Sequence, residues 1–126
     1  MALAVLEGAK EKGAEAVLFT AAEFSASMLG EYDAIAFGCP AMGDEVLEED
    51  EFQPMWDSCE DSLNGKNIAL FGSYGWGNGE WMRDWESRIT SDGATILNGE
   101  GLIANNEPTT EVLDECKEIG RKLANM

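Results

Sequence analysis

The chain has no histidine, only three cysteines and three prolines, and eight basic residues against 25 acidic ones in 126. Each shortage excludes something. Without histidine there is no Ser-His-Asp or Cys-His nucleophile, and the commonest proton shuttle near neutral pH is gone. A conventional zinc or copper site loses its usual ligand. The cysteines, Cys39, Cys59 and Cys116, are odd in number and lack metal-type spacing, so they read as reduced thiols in a cytoplasmic protein. Cys59 and Cys116 read as small apolar packing residues. A net charge of −17 repels nucleic acid and anionic lipid and attracts basic protein faces. No run of about 18 apolar residues is present, so no membrane-spanning helix is expected. No basic stretch precedes an apolar core at the amino end, and no secretory signal is evident. What remains is ordinary: 44% hydrophobic residues, enough for one domain with a sizeable core.

Periodicity gives alternating helices and strands. Residues 2–12 place Leu3, Leu6 and Ala9 on one helical face, with Lys10 and Lys12 at its end and Gly13 as a stop. A short strand is expected over 16–19, a short helix over 23–29, and a strand over 33–38. A helix is expected from about 50 to 63, ending at Asn64-Gly65, then a strand over 67–72 and a helix over 79–89. The last strand starts at 94–97, is interrupted by Asn98-Gly99-Glu100-Gly101 and resumes at 102–104. Thr109 or Thr110 caps a terminal helix to about Ala124. Alternation of this kind means a parallel sheet with helices on both faces. No internal repeat, linker or domain boundary interrupts it, so residues 1–126 read as a single domain.

Two loops carry the chemistry. The apolar run Asn67-Ile68-Ala69-Leu70-Phe71 leads into Gly72-Ser73-Tyr74-Gly75-Trp76-Gly77-Asn78-Gly79, which holds two large aromatics on flexible backbone. Asp33-Ala34-Ile35-Ala36-Phe37-Gly38 leads into Cys39-Pro40-Ala41-Met42-Gly43-Asp44-Glu45. Ligands of open α/β sheets sit at the carboxyl ends of strands. If the two strands are neighbours, Met42 and Trp76 form the walls of a slot for a planar ring. Trp81 and Trp85, at i and i+4, read instead as packing residues of one helix face. Six carboxylates in the eight residues from Asp44 to Glu51 form an acidic run without the spaced ligands or central glycine of a calcium loop.

These loops, together with Glu80-Trp81-Met82-Arg83-Asp84, Asn106-Glu107-Pro108 and the final helix, resemble the short-chain clostridial-type flavodoxins over essentially the whole chain. The resemblance implies a flavodoxin-like three-layer α/β/α fold with strand order 2-1-3-4-5. It implies FMN as cofactor and single-electron transfer between semiquinone and hydroquinone, with redox proteins bearing basic docking faces as partners. An electron-transfer protein rather than an enzyme is expected. By the same resemblance Trp76 stacks on the outer flavin face and Met42 covers the inner one. The Gly43-Asp44 peptide flips so that the Gly43 carbonyl accepts from the flavin, a flip that glycine makes inexpensive. Glu45 accepts from flavin N3, and Pro40, Ala41, Ser73, Tyr74, Gly75 and Gly77 complete the cofactor rim.

One departure stands out. The family opens with a strand and a T-G-N-T-type loop that wraps the FMN phosphate, whereas here Met1-Ala2-Leu3-Ala4-Val5-Leu6 already reads as the following helix. The chain is therefore expected to be N-terminally truncated relative to the family, with its first strand missing. That strand belongs between 16–19 and 33–38, which leaves unpaired strand edges facing one another. Two functional readings stay open. One is an FMN-dependent carrier. The other is a truncated flavodoxin-like protein with little or no FMN binding, because phosphate contacts normally supply much of the anchoring. A flavin-dependent reductase would need a substrate site that the sequence does not display.

Overall fold

The computed structural model describes residues 1–39, 51–75, 79–105 and 108–125. Its centre is a parallel sheet. β1 (Ala34–Gly38) pairs with β2 (Asn67–Tyr74), and on its other side β2 pairs with both β3 (Thr95–Ile96) and β4 (Leu102–Asn105). The last two are halves of one edge strand. Between them a turn over Leu97–Gly99 takes positive φ at Asn98 and Gly99, at the interruption expected from Asn98-Gly99-Glu100-Gly101.

The central strand β2 is apolar on both faces, as its uninterrupted run requires. Ile68 and Leu70 face one layer, and Ala69 and Phe71 the other. On the first face lie α2 (Phe52–Cys59) and α3 (Glu80–Ser91), which bury Trp56, Trp81, Met82, Trp85 and Ile89. Trp56 and Trp85 meet edge to face at 5.5 Å, and Phe37 and Phe52 add further edge-to-face contacts at 5.2 and 5.3 Å. Trp81 and Trp85 are thus the packing residues that their spacing implies.

On the second face lie α1 (Ala2–Glu11) and α4 (Thr110–Ala124), with Ala4, Val5, Cys116 and Ile119 in the shared core. Thr109 caps α4 by accepting from the Val112 N–H at 3.2 Å. α1 and α4 cross backbone to backbone. A Cβ on Gly8 would overlap the Lys117 carbonyl, and one on Gly120 would overlap the Val5 carbonyl. Exposed ion pairs at the rim, Lys117–Glu7 at 3.5 Å and Arg121–Glu11 at 2.8 Å, add little beside this contact.

Two expected elements differ. Residues 16–19 form no strand, because a strand exists only through its neighbour and the described residues offer none. The expected helix over 23–29 is replaced by two 3₁₀ turns, Ala21–Glu23 and Ala26–Glu31. The cause is local. Thr20 and Glu23 form a reciprocal cap, Ser25 starts a second turn, and the Ser25 and Ser27 hydroxyls bond each other at 2.9 Å rather than extending one helix.

Candidate functional site

The parallel arrangement brings the carboxyl ends of β1, β2 and β4 to one edge. Gly38 stands opposite Phe71, so β2 runs three residues further, and Gly72, Ser73 and Tyr74 pair with Ile103, Ala104 and Asn105. The loops after Cys39 and after Gly75 therefore leave the sheet side by side. This adjacency is the one that the two-loop slot requires. Of the sequence-derived rim residues, Ser73 and Tyr74 lie half-buried and Gly75 exposed at this edge. Pro40, Ala41, Met42, Gly43, Asp44, Glu45, Trp76 and Gly77 lie outside the described residues, as does the acidic run except Glu51.

The roots of both loops are tied together. The Cys39 N–H donates to the Phe71 carbonyl at 3.1 Å, which carries β1 one residue further along β2. The Cys39 carbonyl accepts from the buried Trp81 Nε1–H at 3.3 Å, from the first turn of α3. Gly72 makes this possible, because a Cβ there would overlap the Cys39 oxygen and sit 3.2 Å from the Trp81 ring. Tyr74 rests against the same indole, with ring centroids 5.5 Å apart and planes tilted by 50°. Tyr74 thus supports the loop root. Trp81 is both a core residue and the clamp between two loop bases. Sequence spacing carried the first role only, since the second depends on a contact 42 residues away in the chain.

A second positioning residue was not legible in sequence. The Glu86 carboxylate accepts from the Gly101 N–H and pairs with Arg83 at 2.7 Å, which pins the turn ahead of β4 to α3. Beyond the far end of α3, Asp57, Glu60 and Asp92 gather around Arg88. The Asp92 carboxyl is pushed up to about 6 by burial first and by the nearby Glu60 second, with Arg88 opposing. Burial also pushes up the Cys59 and Cys116 thiols, in keeping with inert packing cysteines. Among the described residues no cluster of three or more His, Cys, Asp or Glu side chains could hold a metal ion, and no helix is long and apolar enough to cross a membrane.

The other large feature is a cavity of about 900 Å³ along the edge of β1 away from β2. It is bounded by α1, by residues 14–20 and by β1 itself, and it reaches Cys39 and Glu51 at the site edge. Ala2, where α1 begins, also lines it.

Comparison with known proteins agrees with this architecture. The flavodoxin family profile matches residues 1–120. The flavodoxin of Clostridium beijerinckii is 41% identical over 126 residues, all of this chain and 90% of its own length. That of Megasphaera elsdenii is 45% identical over 92 residues, 73% of this chain and 64% of its own. The solution structure of two-electron reduced M. elsdenii flavodoxin superposes with a TM-score of 0.88 at 36% identity, covering 99% of this chain and 88% of that one. A sheet of parallel strands between two helical layers, with paired loops at its carboxyl edge and whole-length similarity to these proteins, places the chain in the flavodoxin family, among the short-chain clostridial type.

Proposed function

We propose that this chain is an FMN-dependent one-electron carrier, with the flavin ring held between the loops that follow β1 and β2. The observation that carries the reading is the adjacency of those loop roots, fixed by the Trp81–Cys39 bond, in a chain similar to flavodoxins along its whole length. Ser73 and Tyr74 lie half-buried at the site edge, and α1, whose first residue Ala2 lines the cavity, offers the positive end of its dipole to an anionic phosphate. When bound, FMN supplies the electron chemistry, and the chain supplies orientation, charge and water exclusion. Met42 and Trp76 would cover the two ring faces, with offset stacking on the indole contributing about 0.5–1.5 kcal/mol beyond burial. Gly43 would offer its carbonyl and Glu45 its carboxylate at the ring edge. Pro40, Ala41, Asp44, Gly75 and Gly77 would shape the rim.

The acidic surface disfavours added negative charge near the ring and so lowers the potential of the second electron. A unit charge at about 10 Å contributes roughly 1.7 kcal/mol at an effective dielectric of 20. The same surface would dock basic faces of redox partners. Membership of the flavodoxin family supports a carrier over an enzyme.

The alternative reading is a chain that holds FMN feebly. One titration separates the two. FMN added to the purified chain should lose its fluorescence saturably, and Trp76→Ala should abolish most of the quenching. Quenching only at FMN far above the protein concentration would select the feeble binder. Absence of quenching at every concentration would refute both.

A further inference from the structure

The sequence holds three Asn-Gly pairs, at 64–65, 78–79 and 98–99. Asparagine is among the thermally labile residues, and a following glycine has no side chain to shield the peptide nitrogen between them. Asn78 lies outside the described residues. The other two pairs sit in different surroundings. The Gly65 N–H donates to the Gly93 carbonyl at 3.0 Å. The Asn64 Oδ1 lies against Gly93, 2.5 Å from where a Cβ there would stand. The nitrogen and the side chain of this pair are both held.

Asn98-Gly99 is the turn that splits the edge strand. Asn98 takes φ 65° and ψ 3°, Gly99 takes φ 75°, and both residues are exposed. Apart from its chain neighbours, no heavy atom lies within 4 Å of a Cβ position on Gly99, so the turn has room to rearrange. Asn98 also lines a cleft of about 230 Å³ against α4, with room for solvent. Glu100, Glu115 and Glu118 line the same cleft, and Lys122 is its one described basic residue. The Lys122 Nζ donates to the Asn98 Oδ1 at 3.0 Å.

We propose that Asn98 is a self-modification site, where the Gly99 backbone nitrogen displaces the side-chain amide with help from Lys122. Hydroxide takes the Gly99 amide proton. The nitrogen then attacks Asn98 Cγ, a C–N bond forms, and the carbonyl π pair moves onto Oδ1. That oxyanion collapses, the Cγ–Nδ2 bond breaks, and the side-chain nitrogen takes a proton from water and leaves as ammonia. Water opens the resulting five-membered imide at either carbonyl, to give aspartate or its β-linked isomer. The sum is one water in and one ammonia out, with no change of oxidation state. The Lys122 ammonium stands where negative charge gathers in the transition state. The surrounding carboxylates oppose that charge, which makes the lysine decisive. The aspartate product keeps the turn and gains an exposed ion pair with Lys122. The β-linked product adds one backbone atom to a turn that must hold β3 against Asn67 and Ile68 while β4 stays on Phe71 to Tyr74. It therefore loosens the two-residue β3.

The test follows the purified 126-residue chain in warm, mildly alkaline buffer. Cleavage by trypsin after Lys66, Arg83 and Arg88 puts the three pairs on separate peptides, and mass spectrometry reads the exchange of an amide for a carboxyl on each. Conversion at Asn98 should outrun conversion at Asn64 by at least tenfold in the folded chain, and urea should bring the two rates together. Lys122→Gln should slow Asn98 at least threefold and leave Asn64 unchanged, whereas Lys122→Arg should keep most of the parent rate. An Asn98 rate no faster than that of Asn64 would overturn the proposal. So would a tenfold difference that persists in urea, which would place the preference in the local sequence rather than the fold. A parent-like Asn98 rate in Lys122→Gln would also overturn it. The readout involves no flavin, so this inference and the electron-carrier reading stand or fall separately.

Discussion

The α1–α4 crossing offers a sharp quantitative test. Gly120 sits where a Cβ would overlap the Val5 carbonyl and lie 2.7 Å from the Ala9 nitrogen and 3.0 Å from the Val5 carbonyl carbon. All three obstacles are backbone of α1, so no side chain can rotate aside. Gly120→Ala should gain about 0.5–1 kcal/mol in helix propensity. It should lose about 1–3 kcal/mol by forcing the helices apart, the usual cost of overpacking. Because the clash is with backbone, the loss should fall at the upper end, for a net destabilisation of about 1–2 kcal/mol. With a urea slope of about 2 kcal/mol/M the midpoint should drop by about 0.5–1 M at unchanged slope. Gly30→Ala is the control. Nothing lies within 4 Å of its Cβ position, so alanine there should gain about 0.4–1 kcal/mol by stiffening the unfolded chain. Gly8→Ala meets the Lys117 backbone at the same crossing, and once either alanine has separated the helices the second should cost less than it does alone. A Gly120→Ala midpoint equal to or above that of the parent would refute this account of the crossing.

Three further outcomes are expected. Trp81→Phe keeps a smaller aromatic ring but deletes the donor to the buried Cys39 carbonyl; it should cost about 1–3 kcal/mol by urea unfolding and weaken FMN quenching, whereas unchanged FMN affinity would disconnect the clamp from the site. Asp92 has its folded value raised to about 6, above the ordinary 3.8, so its favourable contribution is complete below about pH 4 and disappears as pH rises through 6. Asp92→Asn should therefore raise the melting temperature at pH 7 and leave it nearly unchanged at pH 4, and equal gains at both pH values would contradict the shift. Finally, a charge of −17 implies self-repulsion, so raising NaCl from about 10 to about 150 mM, which shortens the Debye length from about 30 to about 8 Å, should raise the melting temperature; a fall would contradict it.

Elements whose signal is contained in their own residues were legible in the sequence. The apolar run of β2, the Trp81/Trp85 spacing of α3, the capping threonine of α4 and the Asn98-Gly99 break in the edge strand all carry their cause locally. Residues 16–19 do not, since a four-residue apolar run becomes a strand only if something pairs with it. Nor did the serine-rich segment after Thr20, where hydroxyls compete with the backbone. For the site, alternation of strand and helix left the neighbouring of the two strand ends open, and the strand order implied by the family resemblance supplied it. Neither supplied the Trp81–Cys39 and Glu86–Gly101 ties, because each depends on the distance between groups far apart in sequence.

The crossing of α1 and α4 also sets an order of events during synthesis. α1 is translated more than a hundred residues before Gly120 and Lys117, two of its backbone neighbours across that contact, have been made. At about 5–20 residues per second the interval is roughly 5–20 s. Throughout it Ala4, Val5 and Ala9 lack the helix that later covers them, so this face of the nascent chain waits on the last helix before it can close.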